Sequence, residues 1–218
     1  KFLDAFPGKV DEYETLLSSN PIWLQRTQGV GCIPLDDMLD AGVTGPMIRA
    51  AGLAWDIRKS EPYSGYDKFD FDIPTATAGD VYARYQVRMA EFRQSARIAQ
   101  QAIEGMPEGP VVANAPKVVL PDREKMKTEM EALIHHFKIV TEGFRVPAGE
   151  VYQAVESPRG ELAYYVVSDG GPKPWRVHMR TPSFGNLQAL PKGIEGRLLA
   201  DIITTLGSLD IVLGDVDR

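Results

Sequence analysis

The side chains best suited to chemistry in this sequence are its three histidines, the charged run around Asp56 and two glycine-rich turns. His135 and His136 are adjacent, so on a helix they point about 100° apart and do not share a metal as an i, i+4 pair would. The apolar pattern puts both in the last turn of a helix. A positive charge there meets the helix dipole favourably, which is a structural role. His178 alternates with Val177 and Met179 and is predicted to face solvent from a strand. No Gly-x-Ser-x-Gly elbow accompanies the histidines, which argues against a hydrolase.

The glycine-rich stretches GVGCIP (29–34) and GVTGPM (42–47) lack both the Gly-x-Gly-x-x-Gly spacing and a following Lys-Ser/Thr, so neither reads as a site for NAD or ATP. Tight turns account for these glycines. In GPMIRAAGLAWDIRKSEPYSGYD (45–67), Arg49, Arg58 and Lys59 flank Asp56. Two readings stay open: buried ion pairs, for which a guanidinium offers bidentate geometry, or a solvated surface loop. Tyr63 and Tyr66 are then packing or rim residues. Cys32 is the only cysteine. It excludes a disulfide within the chain and a cysteine cluster for zinc or iron–sulfur ligation, and it reads as a small buried hydrophobe in a reducing compartment. No catalytic constellation and no metal site is expected in this chain by itself.

The elements that must carry these residues follow from composition and periodicity. Of the 218 residues 44% are hydrophobic, enough for a globular core. No apolar run approaches the ~18 residues of a membrane span, so attachment to a membrane complex would be peripheral. The net charge is −6 with no basic stripe, which argues against nucleic acid as a partner. Leu3, Phe6, Val10, Tyr13 and Leu17 predict a first helix, kinked or restarted at Pro7. That stripe is already running at Lys1, with no signal-peptide layout, so the sequence is expected to be a piece of a longer protein. Residues 21–78 are rich in Gly and Pro, and only Leu35–Ala41 reads as a helix; so long an irregular stretch is normally functional or packed on a partner.

Asp80 is an N-cap for a long helix with an apolar face of Val81, Tyr85, Met89, Phe92, Ala96, Ala99 and Ile103, stopped by Gly105 and Pro107. Arg84, Arg88 and Glu91 fall elsewhere on it. Asp122 caps a further helix with a Met126, Met130, Leu133 and Phe137 stripe, ended by Gly143. The period then changes. Val151–Glu156, Glu161–Val167 and Trp175–Arg180 read as an antiparallel meander with turns at 157–160 and 169–172. Ile194, Leu198 and Ile202 begin a last helix that Gly207 ends. The fold class is α+β, mainly helical, with one small antiparallel sheet. Its parts are a helical, loop-rich region over 1–143, the sheet over 144–182, and a final helix with a tail over 183–218.

The strings DEYETLL, NPIWLQRT, GVTGPMIRAAG, WDIRKSEPYSGYDKFDFDIP, GDVYARYQVRMAEFRQS, ESPRGELAYYVVSDG, RTPSFGNLQAL and LGSLDIVLGDVDR occur in this order from end to end. They resemble the quinone-site subunit, the D-subunit, of respiratory NADH-quinone oxidoreductase (complex I), a family about twice this length whose C-terminal half the chain matches. The resemblance implies a fold like that of nickel–iron hydrogenase large subunits. Those subunits hold their metal with two Cys-x-x-Cys pairs. Here Leu209–Arg218 stands where the second pair would be and offers no thiolate.

The resemblance further implies a quinone chamber between this chain and the neighbouring B-subunit, which carries the terminal iron–sulfur cluster. Asp210, Val212, Leu213, Gly214, Asp217 and Arg218 would stand at or near it. Val212 and Leu213 would supply apolar wall, Gly214 close backbone approach, and Asp210, Asp217 and Arg218 local charge. A cation near the cluster would raise its potential. The chain itself would bind no cofactor. Quinone would be the substrate, NAD(H) would bind elsewhere in the complex, and the partners would be the B- and C-subunits and the membrane arm. The location implied is the cytoplasmic side of the cell inner membrane, as a peripheral protein. Two alternatives remain: a membrane-bound hydrogenase relative, or a non-catalytic structural module. Two departures limit the transfer of roles. The family's tyrosine and histidine headgroup ligands lie in the half not matched here, and Leu213 replaces the family's usual phenylalanine.

Overall fold

The computed structural model describes residues 1–217. The chain forms two compact units: one comprises Lys1–Gly105, Ala154–Ala163 and the residues from Met179 onward, the other Met106–Gln153 and Tyr164–His178. The elements are α1 (Phe2–Leu17), α2 (Pro21–Thr27), α3 (Leu35–Asp40), α4 (Pro46–Ala50), α5 (Ile57–Ser60), a 3-10 turn (Tyr66–Lys68), α6 (Val81–Glu104), α7 (Lys125–Thr128) and α8 (Met130–Thr141). Then come β1 (Gly149–Ser157), β2 (Gly160–Ser168), β3 (Arg176–Arg180), α9 (Pro182–Gln188), α10 (Leu190–Ile194), α11 (Leu199–Leu209) and α12 (Leu213–Asp217). The strands form one sheet in the order β1-β2-β3. A mainly helical α+β chain with a small antiparallel meander is therefore what the sequence pattern anticipated.

The first unit is built on α6. Asp80 caps it with one carboxylate oxygen on the Ala83 amide (2.7 Å) and holds the Gly29 amide with the other (2.8 Å). One side chain thus starts a helix and anchors a loop. The apolar face read from the sequence is only partly the one buried: Val81 is buried and Tyr85, Met89, Ala96 and Ala99 are half-buried. Val81, Ala83, Arg84, Val87 and Ile98 are buried, while Phe92 and Ile103 are exposed. The difference turns on Arg84, which a hydropathy pattern places outside. It is fully buried, donating to the carbonyls of Gly31 (3.0 Å) and Gly79 (2.8 Å) and to Ser208 Oγ (3.0 Å). Burial, with the neighbouring Arg88 charge adding to it, lowers its pKa to about 10. Beside α6 lies the main core of Ile33, Met38, Val43, Met47, Ile48, Ala189 and Leu209.

Several other expectations give way. α1 runs unbroken through Pro7, where only the Leu3 carbonyl, near the helix start, loses its donor. Residues 21–78 hold four short helices and a 3-10 turn where one helix was expected. Two of these open on proline after a non-helical cap, Asn20-Pro21 and Gly45-Pro46, a start signal that reads as a breaker in a scan for interruptions. The last helical region is divided. α10 ends at Ile194, and α11 continues past Gly207 to Leu209, where Asp210 stops it in the left-handed conformation.

In the second unit the helix expected after Asp122 is split at Glu129, which has extended backbone. Its Met130, Leu133 and Phe137 stripe is exposed. His135 and His136 lie in the middle of α8 rather than its last turn, so the helix-dipole argument for them lapses. His178 is exposed on β3, as expected.

Two glycines decide where the β1–β2 hairpin sits. A Cβ on Gly45 would meet Gly160 Cα at 2.4 Å, and one on Gly160 would meet Thr44 Oγ1 at 2.5 Å. Both have positive φ, so each is fixed by backbone conformation and by close approach. The Glu161 amide donates to Thr44 Oγ1 (2.9 Å), and Arg180 donates to the carbonyls of Glu161 (2.6 Å) and Gly42 (2.8 Å).

Arg84→Ala tests the α6 core. It takes from the Gly31 carbonyl its buried donor, at about 1–3 kcal/mol, leaves the Gly79 carbonyl with the Ile33 amide alone, and opens a cavity beside α6. Urea unfolding is expected to show a loss of about 2 kcal/mol or more, against little change for an exposed position such as Ser95.

Candidate functional site

The charged run around Asp56 resolves in favour of burial, with one exception: Lys59 is exposed. Arg49, on α4, is 2% exposed. Its Nε donates to Glu91 Oε1 on α6 (2.6 Å), and its Nη1 donates to Glu156 Oε1 on β1 (2.8 Å) and to the Trp55 carbonyl (2.9 Å). Asp56 caps α5 through the Arg58 amide (2.9 Å) and takes a bidentate pair from the same residue's guanidinium (3.0 and 2.6 Å). It also lies 3.9 Å from Arg49 Nη1. Arg58 stacks over the Phe71 ring at 5.0 Å. The Glu156 amide donates to Tyr63 Oη (2.9 Å), which makes Tyr63 a hydrogen-bonding partner as well as a packing residue.

Glu91, Glu156 and Asp56 share the Arg49 guanidinium. Burial pushes the carboxyls of Glu91 and Glu156 up, and Arg49 opposes that only in part. The pKa of Arg49 itself is raised, because the three carboxylates together outweigh its burial.

The β1–β2 hairpin links the tail to this network. Leu209 is fully buried and Ile211 packs against the main core, so the backbone on either side of Asp210 is anchored. Asp210 adopts φ 55°, ψ 49°. Arg159, in the β1–β2 turn, donates from Nε to the Asp210 carbonyl (2.9 Å) and stands 3.4 Å from its Oδ2. Arg88, on α6, feels the same carboxylate. Burial lowers its pKa, the charges of Asp210 and Glu91 oppose that, and Arg159 and Arg49 add to it.

Val212 (40% exposed) and Leu213 (73%) turn outward. The Val212 carbonyl takes the amides of Asp215 (3.0 Å) and Val216 (3.1 Å), starting α12. Asp215 Oδ2 in turn accepts the Ser183 amide at the start of α9 (3.0 Å). Gly214 has open space where a Cβ would stand, so within this chain no neighbour demands a glycine. Asp217 is exposed, and Arg218 lies outside the described residues.

Of the tail residues named from the sequence, Asp210, Val212, Leu213, Gly214 and Asp217 thus lie on one short segment. The residues that hold it were missed: Arg159, Asp215 and Ser183. So were Glu91 and Glu156, the partners of Arg49. A usable signal existed in Ser157-Pro158-Arg159-Gly160, a turn with a charged tip. Cys32, read as buried, is partly exposed. Among the described residues no three His, Cys, Asp or Glu side chains are grouped to hold a metal ion, and no helix is long and apolar enough to cross a membrane.

Two outcomes follow. Arg49→Ala leaves buried carboxylates uncompensated and is expected to cost about 3–5 kcal/mol in chemical unfolding. Glu156→Gln tests the sign of the burial effect. A carboxyl whose pKa is raised on folding contributes stability below its unfolded value, near pH 4, and loses it as pH rises through the folded value. The unmodified chain should therefore lose stability relative to Glu156→Gln as pH rises above about 4. A relative gain over that range would mean that ion pairing outweighs burial.

Comparison with known proteins covers the whole chain. The family described as respiratory-chain NADH dehydrogenase, 49 Kd subunit, matches residues 1–218. The first of the NADH-quinone oxidoreductase D-subunits of Solibacter usitatus is 70% identical over 218 residues, 100% of this chain and 53% of the relative. The second D-subunit of Koribacter versatilis is 64% identical over 100% of this chain and 54% of its own length. The D-subunit of Geotalea uraniireducens is 51% identical over 99% of this chain and 55% of its own. The chain spans about half the length of these curated relatives. The match runs through every element that builds the network and the tail, and a hydrogenase-large-subunit-like fold is consistent with it: the chain belongs to the family of the 49 kDa subunit of respiratory-chain NADH dehydrogenase, that is, the D-subunit of NADH-quinone oxidoreductase.

Proposed function

We propose that this chain forms part of the quinone chamber of a membrane-bound NADH-quinone oxidoreductase. The complex would pass electrons from NADH through iron–sulfur clusters to a quinone and couple that transfer to proton translocation. The observation that carries the reading is the Asp210–Asp217 segment: two aliphatic side chains, Val212 and Leu213, held outward on backbone fixed at both ends. A quinone headgroup and its isoprenoid tail need such an apolar surface with a few placed polar groups. Asp210, Asp217 and Arg218 would supply the charge.

The chain would form one wall. The other would come from the B-subunit, which would hold the terminal iron–sulfur cluster; the C-subunit and the membrane arm are the further partners proposed, and NAD(H) would bind elsewhere in the complex. With a single cysteine, this chain has no thiolate set of its own for a cluster or for the nickel centre of a hydrogenase. The family match favours the quinone reaction over the hydrogenase alternative. The place proposed is the cytoplasmic side of the inner membrane, through the assembled complex.

In the full complex, Val212→Met or Asp217→Ala is expected to shift sensitivity to quinone-site inhibitors more than it shifts assembly. Inhibitor titration of membranes, paired with native gels, measures both. Unchanged inhibition with lost assembly would support a packing role for the tail. Purified chain that reduced quinone with NADH and no other subunit would overturn the shared-chamber reading.

A further inference from the structure

The tail changes direction at Asp210, which ends α11 in the left-handed conformation that glycine more usually supplies at a helix end. Left-handed backbone at a non-glycine residue costs about 1 kcal/mol or more and persists where surrounding groups over-determine it. Asp210 is such a residue, at φ 55°. The Arg88 charge on α6 acts on its carboxylate, and Arg159 meets it by hydrogen bond, with Nε on its carbonyl at 2.9 Å and 3.4 Å from its carboxylate Oδ2.

Arg159 is itself well fixed. Its amide donates to Ser157 Oγ (3.3 Å), and its carbonyl accepts Asn186 Nδ2 (3.2 Å). The next residue, Gly160, is locked against Thr44 and Gly45. The hairpin is thus a rigid arm with a guanidinium at its tip.

We propose that Arg159 is a positioning residue: by clamping Asp210 in its left-handed turn, it sets where Val212 and Leu213 stand. This rests on the reading of the tail as quinone-chamber wall. The energetics favour a positioning role over a stabilising one. The Arg159 and Asp210 side chains are 31% and 47% exposed, and exposed ion pairs contribute only about 0–1 kcal/mol to stability. The pair therefore adds little to holding the fold together. It fixes a direction, because the Arg159 Nε–H that donates to the Asp210 carbonyl lies in a rigid guanidinium plane, whereas a lysine ammonium rotates freely and holds no such direction. Removing it would loosen the Asp210 turn, two residues from the exposed aliphatics, while Leu209, Ile211 and Asp215 keep their own anchors.

The test uses the assembled membrane complex carrying Arg159→Gln, Arg159→Lys, Asp210→Asn or, as a marker of the chamber itself, Val212→Met. The readouts are KM and kcat for a water-soluble short-chain quinone, the half-inhibiting concentration of a quinone-site inhibitor, and assembly by native gel. Arg159→Gln is expected to raise KM and the half-inhibiting concentration roughly fivefold with assembly retained, and Arg159→Lys to fall between it and the unmodified complex. Asp210→Asn keeps the carbonyl contact and should shift KM less than Arg159→Gln.

Unmodified kinetics in Arg159→Gln, with a shift in Val212→Met, would overturn the positioning role and leave the chamber reading standing. No shift in either would overturn the chamber reading. Activity lost in proportion to assembly, at unchanged KM in both Arg159 variants, would show a purely structural residue and overturn the proposal.

Discussion

A guanidinium buried among carboxylates is the constraint on which the arrangement of the first unit depends. Arg49 on α4 reaches Glu91 on α6 and Glu156 on β1, residues 42 and 107 positions away. Each segment is poorly determined alone: α4 is five residues long, and the loops around it are rich in glycine. A buried charge is costly unless paired and hydrogen-bonded. An alternative packing of any of the three segments would strand at least one charge, so the network selects one arrangement by penalising the others. This is specificity more than net stability, as the raised carboxyls of Glu91 and Glu156 indicate: burial takes back part of what pairing contributes.

The hairpin carries this constraint to the tail. Glu156 at the end of β1 is fixed by Arg49, the Gly45–Gly160 approach fixes the turn, and Arg159 between them points its guanidinium at Asp210. The buried network and the exposed tail are thus joined through a few residues of backbone. The second support of the tail, Asp215 on the Ser183 amide, comes from α9. An exposed apolar pair on well-fixed backbone suits a surface that another molecule completes.

Much of the fold was legible in the sequence, and what was not has identifiable causes. The three strands and their turns followed from period and turn residues, and Asp80 announced α6 as a cap. The buried face of α6 was read only in part because Arg84 is core: hydropathy assigns a guanidinium outward, while here two loop carbonyls and a serine hydroxyl satisfy it. The short helices after Asn20 and Gly45 were hidden by their own prolines, which mark a helix start as readily as a break. The split at Glu129 carries no breaker residue at all.

Site legibility divides in the same way. The charges around Asp56 were visible, but their partners were not, because Glu91 and Glu156 come from segments that only the fold brings near. Asp210, Val212 and Leu213 were singled out by family resemblance, not by chemistry, since nothing in an apolar tail declares a ligand. Arg159 was passed over as a turn residue. Whether the tail is chamber wall is decided most directly by photoaffinity labelling of the assembled complex, with a quinone bearing a photoreactive headgroup and followed by peptide mapping. Label is expected within residues 209–217, suppressed by excess unlabelled quinone. Competable label elsewhere in the complex, with none on that segment, would contradict the chamber wall.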